Sequence, residues 1–363
     1  MKPAILTLSG SGNPPSLKPG QYRNLLILAA LGILTCIAGI HSLGTGAIPI
    51  SAEKVLQALQ GGLSGKLESG DSMIIWQIRV PRLLTAALAG AALAVSGALM
   101  QGLFRNPLAD PGIVGVSSGA SLAAAFIIVL GDKVLAPVIG PLPFSALPVS
   151  AFVGALLAVA LLSVISTRNG QTSVVTMLLA GIALGALSGA FLGLLSYISD
   201  DRQLRDITFW TMGSLSGASW SKVAAITPLI LPVLLVSSFL ARGLNALSLG
   251  EAEAFHLGVS IQNVKLVAIL CVATAVGASV AACGLIGFVG IVVPHALRLA
   301  FGPDHKLLLP ASAIAGAALL IIADSIARTI VAPAELPIGI LTALIGAPFF
   351  IWLLLHRRGG LPT

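Results

Sequence analysis

The chain has 363 residues, of which 56% are hydrophobic and only 9% charged, with a mean hydropathy of +1.02, against roughly 25% charged residues in ordinary soluble domains. That balance excludes a soluble globular protein, and a single polytopic membrane domain is expected in place of a length-based domain count. The net charge of +7 comes without a basic cluster or an aromatic-interleaved patch, which excludes nucleic acid as a partner and leaves charge dispersed around membrane spans.

A helix needs about 20 apolar residues to cross ~30 Å of hydrocarbon. Runs of that kind fall near 23–43, 83–103, 113–131, 147–167, 174–197, 223–241, 264–283, 284–301, 307–327 and 338–356, so the predicted fold is all-α with about ten transmembrane helices. Residues 1–21, rich in Gly, Pro and Ser, read as a disordered terminus, 22–356 as one membrane domain and 357–363 as a tail. Lys2 and Lys18 before Leu25–Ile40 resemble a signal peptide, but no small-x-small cleavage site follows, so this is read as a retained first span. Ten spans put both termini on one side. If that side is cytoplasmic, its segments hold eleven of the 20 Lys and Arg, a slight positive-inside bias.

Further along, Ile50 to Leu59 predicts a short interfacial helix ended by Gly61-Gly62. Gly65-Lys66 is not a nucleotide loop: no glycine stands five residues before Gly65, and Leu67 replaces the required hydroxyl residue. Arg79 and Arg82, three apart, share one face of a helix end, with Pro81 suited to the first turn. They anchor the span or dock an acidic partner. Phe104 to Gly112, with Pro107, Pro111 and Gly112, predicts a tight turn. Gly181, Gly185, Gly189 and Gly193 recur every four residues and form a ridge suited to close helix packing. Tyr197, Trp210 and Trp220 fit an interfacial aromatic belt, and Phe209-Trp210 a short helix beside a pore mouth.

The run 264–301 would be roughly 57 Å long as one helix at 1.5 Å per residue. It must turn, and Gly284, Gly287 and Gly290 mark where. Cys36, Cys271 and Cys283 lie in apolar segments without metal-ligand spacing and read as packing residues; no metal site is expected. His295 reads as a core histidine. Asp324 and Arg328, at i and i+4, predict a helical ion pair.

Ser248 to Gly258, reading Ser-Leu-Gly-Glu-Ala-Glu-Ala-Phe-His-Leu-Gly, predicts a short separate helix. Ser248 and Glu251 have capping-box spacing, Glu251 and Glu253 occupy the first turn, and Gly258 suits the C-terminal stop. Either it joins two spans, or it receives a push from another protein. No catalytic nucleophile–base set appears, so no enzyme activity is expected of this chain.

Arg79-Val80-Pro81-Arg82, Gly97-Ala98-Leu99-Met100-Gln101, Asn106-Pro107-Leu108-Ala109-Asp110-Pro111, Gly115-Val116-Ser117-Ser118-Gly119-Ala120, Gly287-Phe288-Val289-Gly290, Pro294-His295 and Ala334-Glu335-Leu336-Pro337-Ile338-Gly339 resemble the FecCD permeases, membrane subunits of binding-protein-dependent importers for ferric siderophores, haem and cobalamin. The resemblance covers about residues 22–356. It implies the type II ABC importer permease fold, in the bacterial inner membrane with both termini cytoplasmic. A homodimer around one pathway is implied, with two ATPase subunits below and one periplasmic binding protein above. ATP and Mg then belong to the ATPase, and this chain holds no cofactor.

By the same resemblance Arg79, Arg82 and Arg328 receive acids of the binding protein. Ser248, Gly250, Glu251, Ala252, Glu253, Phe255 and Gly258 form the helix that couples to the ATPase. Asn106, Leu108, Val174 and Val175 lie at the gates, the two valines standing where cobalamin permeases carry hydroxyl residues. The segment Asp200 to Arg205 with Phe209-Trp210 looks most like the haem branch, and few ionisable side chains in the spans suit a bulky, partly apolar chelate.

Overall fold

The computed structural model describes residues 19–46, 48–63, 70–135, 137 and 146–357. The terminus before Pro19, the Gly65-Lys66 pair and the tail beyond Arg357 lie outside them. In chain order the helices are α1 (Pro19–Gly44), α2 (Ala52–Leu63), α3 (Gly70–Ile74), α4 (Val80–Leu103), α5 (Val116–Leu130), α6 (Ala146–Ser166), α7 (Val174–Tyr197), α8 (Asp201–Thr211), α9 (Trp220–Leu249), α10 (Glu251–His256), α11 (Ile261–Cys283), α12 (Val289–Phe301), α13 (His305–Thr329) and α14 (Ile338–Arg357). Among the described residues, seven helices are long and apolar enough to cross a membrane, and the shorter apolar helices Val116–Leu130, Val289–Phe301 and Ile338–Leu353 occupy the other three expected spans.

Small residues decide which helices are central. The most apolar stretch of Gly70–Leu103 is 78% buried, against 11% for that of Gly20–Gly44. Helix α4, rich in Ala and Gly, packs against α13, α11, α9 and α12. A Cβ on Gly90 would lie 2.2 Å from the Gly316 carbonyl oxygen, and one on Gly97 1.8 Å from that of Gly290. Gly119 and Gly154 bring α5 and α6 together in the same way. In lipid, where apolar burial drives little helix association, such backbone approach maximises dispersion contact.

Among the described residues, Gly185, Gly189 and Gly193 of the ridge predicted on α7 play no such part. Gly181 is buried, but a Cβ on Gly185 would meet only Ser118 Oγ at 3.6 Å, and one on Gly189 or Gly193 nothing within 4 Å. A four-residue glycine repeat sets the shape of one face; whether a neighbour fills it is decided elsewhere.

The predicted break in 264–301 is present: α11 ends at Cys283, α12 begins at Val289, and Gly284 takes φ +69°. Gly284 and Ile286 of the connection are buried, and Ser214 N donates to Cys283 O at 2.7 Å, so protein satisfies backbone that lipid cannot. Phe288 adopts φ +67°, unusual for a bulky residue, with its side chain against Gly346 of α14.

Helix α2 outruns its expected glycine stop and reaches Leu63. Gly62 is accommodated because the Trp76 indole lies over it, 1.8 Å from where a Cβ would stand. Trp76 Nε1 donates to Ala58 O at 2.8 Å, and the ring stacks on Trp220 at 6.2 Å between centroids.

Candidate functional site at the two polar ends

The helices carry their charges to two opposite ends. At one end a π-helical turn, Ile75–Arg79, leads into α4 with Pro81 in the first turn. A π turn lies where helical register is locally shifted and is common at functional sites. The structure brings Arg79, Arg82 and Arg328 together here, and all three are buried, at 6%, 8% and 8% exposure. Arg79 donates through Nη1 to Leu43 O at 2.6 Å and through Nη2 to Ile48 O. Arg82 grips Asp324, with Nε and Nη2 at 3.0 and 2.9 Å from Oδ1, while its Nη1 is 2.8 Å from Glu335 Oε1.

The expected pair within α13 is present, Arg328 Nε standing 3.0 Å from Asp324 Oδ2. Arg328 Nη2 donates to Ser42 Oγ at 2.8 Å and Nη1 to Thr45 O at 3.2 Å. Three cations face two carboxylates, leaving one positive charge. The cross-helix pair between Arg82 and Asp324 and the contact to Glu335 are invisible in sequence, where the partners are 242 and 253 residues apart. Helix α8 lies at the same end, with Asp200 and Gln203 forming a capping box and Phe209 exposed.

At the other end the segment Ser248 to Gly258 departs from its expected start. Ser248 lies inside α9, which continues to Leu249, and its Oγ donates to Asn245 O at 2.6 Å instead of capping a new helix. The N-cap of α10 is Gly250, at φ +133° with no side-chain cap. Only glycine tolerates that backbone readily, so glycine makes the break and leaves Glu251 free of the capping box. Glu251 instead pairs with Lys265 Nζ at 2.8 Å. Gly258, at φ +77°, closes α10 as expected. Ala254 is buried, Ala252 and Glu253 are exposed, and Phe255 is 70% exposed.

A two-stranded hairpin, β1 (Thr167–Arg168) and β2 (Gln171–Thr172), precedes α7 at this end. Asn169 and Gly170 both take positive φ, at 52° and 74°, the requirement of a type I′ turn, for which Asn-Gly is the favoured pair. Lys265, 3% exposed, donates to Thr172 O at 3.0 Å, and Gln262 Oε1 accepts from Thr172 N at 3.1 Å. A cavity of about 840 Å³ beside these groups is lined by Arg105, Arg168, Val174, Val175, Phe255 and Lys265, among others. Asn106 and Leu108 do not line it; Asn106 Oδ1 accepts from Leu108 N at 3.0 Å and tightens the turn after α4. In that turn burial pushes the Asp110 carboxyl above the usual range, opposed by a hydrogen bond from Gly112 N at 2.7 Å.

Sequence reasoning missed Lys265, Gln262 and the hairpin. A lysine four residues into an apolar helix and the Asn-Gly pair were the available signals. Among the described residues, no group of three or more His, Cys, Asp or Glu is placed to hold a metal ion.

Apolar helices joining two polar ends, with a short exposed helix between glycine breaks at one of them, make an all-α polytopic membrane protein, and its likeness to known proteins makes it a permease of the ABC-importer class. The chain belongs to the FecCD transport family, whose profile matches residues 34–356. It is 45% identical over 349 residues to the hemin transport system permease protein HmuU of Yersinia pestis, spanning 93% of this chain and 98% of that one. It is also 45% identical over 338 residues to the vitamin B12 import system permease protein BtuC of Escherichia coli O9:H4, spanning 93% and 97%. A solved inward-facing conformation of a metal-chelate type ABC transporter superposes with a TM-score of 0.80 at 34% identity, over 92% of this chain and 99% of that one.

Proposed function

We propose that this permease carries haem across the bacterial inner membrane as a homodimer, using ATP and Mg held by two ATPase subunits. A periplasmic binding protein delivers the haem at the end bearing Arg79, Arg82 and Arg328, and the ATPase engages α10 at the end bearing both chain termini. The observation that carries the substrate is the 45% identity to a hemin permease across 98% of its length. The apolar character of the spans and of Val174 and Val175 at the cavity agrees with it, since a bulky chelate needs a smooth wall more than ionisable ligands. The equal identity to a vitamin B12 permease makes cobalamin the second reading, with ferric siderophores third.

Reconstitution of the permease with its ATPase and binding protein in liposomes, followed by ATP-dependent uptake of haem, cobalamin and ferric siderophores in turn, decides among them. Haem is expected to be taken up and to stimulate hydrolysis; stimulation by cobalamin alone would reverse the assignment. A proton- or sodium-coupled transporter needs acids free to titrate along a pathway, and Asp324 is held between two arginines. Uptake that persists without ATP while the proton gradient is maintained contradicts the importer.

A further inference from the structure

We propose that Lys265 is a positioning residue that ties α10 to the start of α7, so that a displacement of α10 is delivered directly to the gate-side turn at Val174 and Val175. The proposal rests on the reading of α10 as the helix that the ATPase moves.

Helix α10 is six residues long and bounded by Gly250 at φ +133° and Gly258 at φ +77°. Those breaks interrupt the helical backbone on both sides, so neither α9 nor α11 continues stiffly into it. A side-chain link is therefore the most direct mechanical path out of α10. The Lys265 ammonium provides one, 2.8 Å from Glu251 Oε1 and 3.0 Å from Thr172 O. Gln262, one turn earlier on α11, takes the Thr172 N–H at 3.1 Å. Both backbone groups of Thr172 are thus held by a single turn of α11.

Little slack separates Thr172 from α7. Its strand pairs with Thr167 through a tight Asn-Gly turn. The next residue, Ser173, is the N-cap of α7: its Oγ accepts from Thr176 N at 3.3 Å, and its own N–H donates to Ser166 O at 2.9 Å. Val174 and Val175 follow at once and line the cavity. A buried ammonium is costly unless all its partners stay in place. Moving Glu251 therefore requires Lys265 to follow or to lose a charge-assisted contact, and following draws the hairpin with it.

The test uses the complete transporter in lipid nanodiscs and liposomes, with the three native cysteines replaced by serine. Spin labels at Val175 and Arg242 report the position of the start of α7 against α9 with and without nucleotide. In the parent protein the distance distribution is expected to shift on nucleotide binding. In Lys265→Met the shift is expected to disappear, and substrate moved per ATP hydrolysed to fall about tenfold, the scale set by one lost charge-assisted hydrogen bond. Lys265→Arg restores both, which a merely space-filling role does not require. Gln262→Leu, which keeps the lysine, serves if Lys265→Met does not fold and is expected to halve the shift or more. A full nucleotide-driven shift in Lys265→Met, or in Gln262→Leu where it is the variant that folds, overturns the proposal, as does a parent protein with no shift. Phe255→Asp separates the two levels of inference: retained ATPase co-purification in that variant refutes the reading of α10 itself, whereas lost co-purification with a normal shift in Lys265→Met refutes only the link.

Discussion

Replacing Asp324 by Asn removes the one anion that two buried arginines share. Asp324 is 1% exposed and accepts from Arg82 through Oδ1 and from Arg328 through Oδ2. An asparagine amide has one oxygen, so its NH2 must face one guanidinium as donor against donor. The cluster's charge rises from +1 to +2, three arginines against Glu335 alone. Breaking a buried ion pair by removing one partner costs about 3–5 kcal/mol. Arg82 keeps Glu335, and Arg328 keeps Ser42 and Thr45, which places the expected loss near the lower end, ~3 kcal/mol. At about 2 °C per kcal/mol for a large chain, the apparent melting temperature in detergent should fall by about 6 °C. Tryptophan fluorescence or scanning fluorimetry reads this directly. Asp324→Asn combined with Arg82→Met should recover more than half of the loss, because the second change removes the stranded cation. A single variant within about 1 °C of the parent, or strictly additive losses in the double variant, would show that the cluster is not the coupled unit described.

Glu335→Gln is expected to cost less than ~1 kcal/mol, since water reaches that carboxylate and replaces part of the contact; melting measured beside Asp324→Asn tests the ranking. Arg79→Glu should weaken binding-protein association, with a smaller salt dependence of the residual affinity, as titration at two ionic strengths will show; unchanged affinity removes Arg79 from the docking surface. Gly97→Val, whose Cβ must enter the space of the Gly290 carbonyl, should abolish folded yield, whereas Gly189→Ala should leave the melting temperature of the single chain unchanged and report only on contacts between copies. At Asp304 burial raises the carboxyl's pKa, but hydrogen bonds from Lys306 N and the Asn245 amide, with the Lys306 charge, outweigh it and hold the group below the usual range. A depressed folded pKa gives stability above the unfolded value of about 3.9 that is lost as pH falls through the folded one. Asp304→Asn should therefore flatten the acid limb of the melting-temperature profile, and an unaltered limb would discount the contact.

Much of the architecture is written in local chemistry. Hydropathy alone places the spans, because lipid demands a long apolar helix wherever backbone crosses. Chain length alone requires the break in 264–301, and the glycines locate it within a few residues. The i, i+4 spacing of Asp324 and Arg328 foretells their pairing because both lie on one helix face. These are short-range consequences of helix geometry.

Tertiary structure decided the rest. Ser248 and Glu251 have the spacing of a capping box, yet α9 runs through Ser248 and Gly250 makes the break. Local spacing lists what a side chain can reach but not which partner wins, and Lys265, on the next helix, claimed Glu251. The α7 glycine ridge is as regular as any in the chain, but the close approaches fall at Gly90 with Gly316 and Gly97 with Gly290, in helices the chain brings together from far apart. Arg82 shows the same division: its place at a span end is a fact of sequence, while its burial between Asp324 and Glu335 is not, because partners 242 and 253 residues away become neighbours only when the helices pack.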